Sequence, residues 1–259
     1  MKLKDTVHFD LPKKLLYVAI LFALVLFSGN IAGVQLGRFF GNIRQMGVFM
    51  GYFLSPDWSF LSRTIDPLIT TIQMAVVGTV FGCLVAIPMS FLATTVVTQS
   101  RLITAPIRVF MNIVRTVPTL LLAALFVAIF GIGEVTGIIT LAVFSFGIIT
   151  KLMYDLMETI DLSPLEAAEA VGANRTQVAV WAVVPQISHQ IASYALYVFE
   201  INIRASMILG YVGAGGIGVV LNSALGLFRY DRVSVIILVI IAVIVVIDFI
   251  SEYCRKRLL

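Results

Sequence analysis

Charge is what this sequence has least of. Only 12% of its 259 residues are Asp, Glu, Lys or Arg, against 60% hydrophobic, and its mean hydropathy is +1.03. A soluble domain carries about a quarter charged residues to hydrate its surface, so that class is excluded and a polytopic membrane protein is expected. Cysteine and histidine are as scarce: Cys83 lies in an apolar run, Cys254 beside a basic tail, and His8 and His189 are the two histidines. They supply neither a disulfide framework nor metal-ligand spacing, so no metal site is expected. There is no GxxxxGK[ST] phosphate loop and no grouping of nucleophile, base and orienter, so neither catalysis nor a bound cofactor is expected of this chain. The formal charge of +4 is read by its distribution along the spans, and no nucleic-acid partner is expected.

What the sequence does have is long uncharged runs. Lys2, Lys4, Lys13 and Lys14 precede one from Leu15 to about Leu36, enough to cross a bilayer core of about 30 Å as a helix. A cleavable signal peptide is the rival reading of that run. Gly37 to Asp66 reads as an extended external segment with Tyr52, Phe53 and Trp58 in the interfacial belt. A second span is expected from Pro67 to Thr98, kinked at Pro88, then an internal basic loop from Ser100 to Arg115. The third span opens at RTVPTLL, Arg115 to Leu121, and turns at GIGE, Gly131 to Glu134. The fourth returns through Ile149 to Lys151, the fifth runs from about Val178 to Leu209, and the sixth from Val233 to about Ile250. With both termini inside, twelve of the 18 Lys and Arg fall inside and six outside, namely Arg38, Arg44, Arg63, Arg204, Arg229 and Arg232. That excess satisfies the positive-inside rule.

One polar segment, Ser163 to Gln186, sits between apolar runs. Ser163, Pro164 and Glu166 read as a capping box that starts a short helix, Gly172 stops it, and Asn174 with Gln177 starts another. Ala167, Ala168 and Ala170 let a second surface approach the backbone, while Glu166 and Glu169 can pair with basic groups on it; an ordinary solvated loop helix is the alternative. The order EAA, Gly172, then Pro185 resembles the EAA loop of permease subunits of bacterial ABC importers, which docks into a groove of the ATPase subunit. Ala182, Val183 and Val184 depart mildly from that pattern. By the resemblance, Glu166, Ala167, Ala168, Glu169 and Gly172 are the docking residues.

GYVGAGGIG, Gly210 to Gly218, contains a literal GxGxxG, but no strand precedes it and no βαβ unit surrounds it, so a dinucleotide site is excluded. It reads as irregular backbone at the outer end of the fifth span, allowing a sharp turn near the pathway and close helix contact, or as a plain flexible loop. Glu200 and Arg204 can form an i, i+4 pair, and two readings stay open: packing chemistry, or an arginine that with Asn202 guides an anion through the pore. Asp248 with Glu252, Arg255 and Lys256 reads as an interfacial charge cluster, and His189 as a hydrogen-bonded packing residue. Phe199 to Gly218 resembles the matching segment of phosphonate-type permeases, and with the third span the resemblance covers roughly residues 65 to 255.

The resemblance implies an all-α type I ABC importer permease fold of about six spans. It is a single transmembrane domain over 1–259 with a cytoplasmic docking loop at about 161–177. It places the chain in the bacterial inner membrane and implies two ATPase subunits that bind ATP and Mg. It also implies a second permease copy forming a homodimer and an extracytoplasmic substrate-binding protein. Glu200, Asn202, Arg204, Gly213, Gly215 and Gly216 are the expected pathway residues, and phosphonate, phosphite or a related oxyanion the cargo. A permease of the same build for methionine is the rival; a proton-coupled secondary transporter would need an unpaired midmembrane carboxylate and inverted repeats.

Overall fold

The computed structural model describes residues 11–33, 37 and 41–258. Lys2, Lys4 and Arg38 of the charge count, Leu36 of the first span and His8 of the metal-ligand reading lie outside the described residues. The chain divides into two units, Met1–Tyr52 and Phe53–Leu259. The first holds α1 (Leu11–Ile31), whose side chains from Lys13 on are exposed on every face, and nearly all of α2 (Ile43–Phe53). The expected extended segment is therefore partly helical: α2 and a 3-10 turn at Trp58–Phe60 fall within it.

The second unit is built on α3 (Ser62–Ala93) and α7 (Glu134–Met157), packed in parallel along their length. Gly78 and Gly82, a GxxxG pair, permit it: a Cβ at Gly78 would stand 2.6 Å from Leu141 Cβ, and one at Gly82 2.4 Å from Ser145 Cβ. Without a hydrophobic force between helices in lipid, such close backbone approach supplies the association. At 32 residues, α3 is about 48 Å long and exceeds the hydrocarbon core. Pro88 lies inside it without ending it; the break comes at Thr94, in extended conformation, and α4 (Thr95–Thr98) follows. Thr98 Oγ1 donates to the carbonyls of Phe91 and Leu92 at that break.

The expected basic loop is instead α5 (Arg101–Thr116). Thr104 and Met111 are buried on one side while Leu102, Val109, Phe110 and Ile113 are exposed on another, the 3.6-residue period of an amphipathic helix. Arg101, Arg108 and Arg115, seven residues apart, share one edge. Judged by its charges alone the stretch reads as a loop; its period makes it a helix.

Next, α6 (Thr119–Phe130) bends 92° from α5, and α7 returns antiparallel to it. Then come α8 (Ser163–Ala170), α9 (Arg175–Val178), a π-helical turn at Ala179–Val183, and α10 (Val184–Leu209). Pro185 lacks the amide that an α-helix would direct at Trp181, and the wider turn, closed by Val184 N–H on the Ala179 carbonyl, absorbs the misfit. The short α11 (Ile217–Gly226) leads into α12 (Tyr230–Leu258). Among the described residues five helices are long and apolar enough to cross a membrane, or six if the bent pair α5 and α6 is one span, in line with the expected number.

Candidate functional site

The segment expected to dock is assembled by local chemistry. Asp161, and not Ser163, opens it: its Oδ1 accepts from the Ser163 amide at 3.0 Å and from Ser163 Oγ at 2.8 Å, and no capping box forms at Ser163 and Glu166. A carboxylate two residues upstream is the stronger acceptor and takes the serine as a donor. The Ser163 amide holds the Asp161 carboxyl below its ordinary range. At the other end Gly172, at φ +87°, donates to the Glu169 carbonyl at 2.9 Å, and Ala173 donates to Ala168 at 3.0 Å. Together these are the 5→2 and 6→1 bonds of a Schellman stop. Asn174 and Gln177 then form a full capping box, as expected from the sequence.

Within this frame α8 is anchored by Leu165, buried beside Met157, Val178 and Val183. Glu166, Ala167, Ala170 and Val171 stay exposed, and Ala168 is half-buried. Glu169 is engaged within the chain, accepting from Arg175 at 2.8 Å, with Gln99 Nε2 at 3.5 Å. Of the two carboxylates expected to meet a partner, Glu169 already has an exposed ion pair within this chain and Glu166 stays exposed.

The glycine-rich turn lies against the start of α7. Gly213, Gly215 and Gly216 all hold positive φ, and the Gly213 carbonyl accepts from Gly133 at 3.0 Å. A Cβ at Gly215 would meet Glu134 at 2.9 Å, and one at Gly216 would meet Thr71 Oγ1 at 2.5 Å. That hydroxyl also accepts from the Ile217 amide at 2.8 Å and so caps α11. The close contact expected of these glycines is present, and the plain flexible loop is excluded.

The charges on α10 and α12 form one network. Arg204 donates to Glu200 Oε1 at 2.6 Å and to both Asp248 oxygens at 2.9 Å, while Arg255 reaches Glu200 Oε2 at 3.3 Å. Two corrections follow. The Glu200–Arg204 pair is not isolated, and Asp248 and Arg255 belong with it, leaving Lys256 and Glu252 as a separate pair. Arg204 and Arg255 both touch Glu200, so they cannot lie on opposite sides of a hydrocarbon core about 30 Å thick, which overturns the expectation of Arg204 outside with Arg255 inside.

Asn202 is also misplaced by the sequence reading. It is 0% exposed, and its Nδ2 donates to Thr79 Oγ1 at 2.8 Å and Ser145 Oγ at 2.6 Å, tying α10 to the α3/α7 pair. Two residues from both Glu200 and Arg204, it projects to the opposite side of the helix, so it is no partner for an anion beside Arg204. Helical periodicity was the available signal. His189 is exposed instead of packed. No group of three or more potential metal ligands occurs among the described residues.

Comparison with known proteins follows the same outline. A family model described as binding-protein-dependent transport system inner membrane component matches residues 78–259. The phosphite transport system permease protein PtxC of Stutzerimonas stutzeri is 35% identical over 241 residues, 93% of this chain and 88% of that one. The phosphate-import permease protein PhnE of Mycolicibacterium smegmatis is 37% identical over 188 residues, 73% of this chain and 35% of that one. A solved inward-facing conformation of the MetNI methionine ABC transporter superposes with a TM-score of 0.66 at 20% identity, over 76% of this chain and 96% of that one, a likeness of fold.

Proposed function

The chain belongs to the family of binding-protein-dependent transport system inner membrane components, and from that premise we propose that its cargo is phosphite, phosphonate or a related oxyanion. It is a non-catalytic, multi-pass inner-membrane permease subunit of an ABC importer, whose ATP is bound by a separate ATPase subunit and whose cargo is delivered by a binding protein. The observation that supports the cargo is the 35% identity to a phosphite permease across 93% of the chain. Its test is uptake by the reconstituted complex with its own binding protein. We expect unlabelled phosphite or methylphosphonate to compete with the labelled oxyanion and methionine to have no effect; methionine uptake would overturn the assignment.

In this reading the single permease domain pairs with an identical copy and two ATPases, with both termini in the cytoplasm. The segment from Glu166 to Gly172 docks on the ATPase, and closure of the ATPases pulls α8 and tilts α10 through the π-helical turn. Gly213, Gly215 and Gly216 shape the outer end of the pathway. Glu200 and Arg204 line it. Charges on a membrane helix face water or protein and not lipid, and Arg204 is 42% exposed in its side chain within this chain. Held by two carboxylates, its guanidinium can exchange them briefly for a passing anion without forming a trap.

Removing Glu200 and Arg204 together would strand Asp248 and Arg255, so the informative double variant is Arg204→Gln/Asp248→Asn, which removes one charge of each sign. We expect this protein to fold and its uptake to fall about tenfold, the effect of losing about 1.4 kcal/mol of anion stabilisation. Uptake equal to the parent's would leave the network as packing chemistry.

A further inference from the structure

We propose that the cavity between α4, the first turns of α5 and the end of α7 binds the phosphate headgroup of an anionic phospholipid in the leaflet on the docking side. The cavity has a volume of ≈ 470 Å³ and is lined by Thr95, Val96, Arg101, Thr104, Ala105, Arg108 and Glu158. Its depth in the membrane follows from its partners. Arg108 donates through Nε to the carbonyl of Ala93, the last residue of α3, at 2.7 Å, and pairs with Glu158, the residue after α7. The cavity therefore sits where two spanning helices, long enough to outreach the hydrocarbon, end on the side of the polar headgroups.

Its charges select an anion. Arg108 is committed: besides Ala93 and Glu158, its guanidinium lies 4.8 Å from the centre of the Tyr154 ring. Glu158, the one carboxylate in the wall, is balanced by Arg108 and accepts from Thr95 Oγ1 at 3.2 Å. Arg101 is different, being exposed and paired with no carboxylate among the described residues. Ser100 adds no side-chain cap to α5, so the positive end of that helix opens beside the arginine.

The neighbouring surface identifies the anion as a lipid. Leu102, 89% exposed, begins a strip continued by Val109, Phe110 and Ile113. An acyl chain attached to the bound phosphate would cover that strip, whereas a free phosphate would leave it bare. Because α5 bends 92° from α6, the two cannot both follow the bilayer normal, so α5 presents this strip obliquely to the lipid. Thr95 and Val96 also line a second, adjacent cavity whose far wall is Leu165, Glu166 and Glu169 of the segment expected to dock, so lipid occupancy bears on that segment through α4.

The test uses the full chain purified in detergent and titrated with spin-labelled phosphatidylglycerol and phosphatidylcholine, the immobilised fraction giving the preference between them. We expect a preference for phosphatidylglycerol that Arg101→Gln lowers about fivefold, the equivalent of about 1 kcal/mol per arginine at an anionic surface. Arg101→Lys should restore most of it, and excess inorganic phosphate should leave it intact. An unchanged preference in Arg101→Gln overturns the site. Displacement by inorganic phosphate overturns the lipid as its occupant.

Discussion

Gly172→Val is expected to insert and fold, to bind its partners weakly or not at all, and to lose ATP-driven uptake. The reason lies in the backbone alone. Gly172 holds φ +87° at the Schellman stop, and nothing lies within 4 Å of the Cβ that a side chain would add. Steric crowding with neighbours therefore contributes nothing. The left-handed conformation costs an ordinary L-residue about 1 to 2 kcal/mol, and a β-branched residue more. The added side chain gains no contact to offset that cost, so the chain relaxes there. The bonds from Gly172 to Glu169 and from Ala173 to Ala168 are lost, and α8 no longer points away from α10 at a set angle. The spans keep their packing, because Gly172 itself adds no side chain to the core that Leu165 shares with α7 and α10. Gly172→Asn provides the comparison, because asparagine tolerates the left-handed region, and it should keep most of the uptake. The measurement is uptake together with binding-protein-stimulated ATPase activity in proteoliposomes. Normal values for both in Gly172→Val would remove the docking assignment.

Gly218→Ala is expected to prevent recovery of folded protein. A Cβ at Gly218 would stand 2.0 Å from the Met207 carbonyl oxygen and 2.9 Å from Gly210 Cα. Both are backbone atoms, so no side chain can swing aside. Gly210 meets the same crossing from the other side, its own Cβ falling 2.3 Å from the Gly218 carbonyl carbon. Opening the turn would pull Ile217, 0% exposed, out of its packing and its amide away from Thr71. Overpacking of this kind costs about 3 kcal/mol or more, a large part of a marginal stability. Gly226→Ala is the matched control, a helical glycine with nothing within 4 Å, and should be neutral or slightly stabilising. Fluorescence-detected size-exclusion and a melting curve of the two variants decide the matter. A monodisperse Gly218→Ala with the parent's melting temperature would show that the crossing is looser than the structure requires.

The glycines at 172 and 218 differ in how far the sequence could be read. The stop at Gly172 was legible because everything that makes it lies in one stretch, Ser163 to Asn174: a short helix, a glycine, and Asn174 to begin again. Gly210 to Gly218 could be recognised as irregular backbone, but what the turn packs against, Thr71 and Glu134, comes from elements about 75 to 150 residues away in sequence. The GxxxG pair at Gly78 and Gly82 was present to be seen and predicts close helix contact, though not with which helix.

Local chemistry, then, determined the all-helical membrane class, the spans and the Gly172 corner, since these depend on hydropathy summed over a turn or a span and on hydrogen bonds within it, while the family was carried by motif resemblance. Only the tertiary structure decided which charges meet. Arg204 could be paired with Glu200 from its spacing, but Asp248 and Arg255 reach the pair from α12, and no rule of spacing links them. The same holds for Asn202, which faces Thr79 and Ser145 because α3, α7 and α10 pack together, and for Arg108, committed to Ala93 and Glu158 by the ends of α3 and α7. A charge or amide in a membrane protein must find a partner, and that partner is chosen by whichever helix the packing brings within reach.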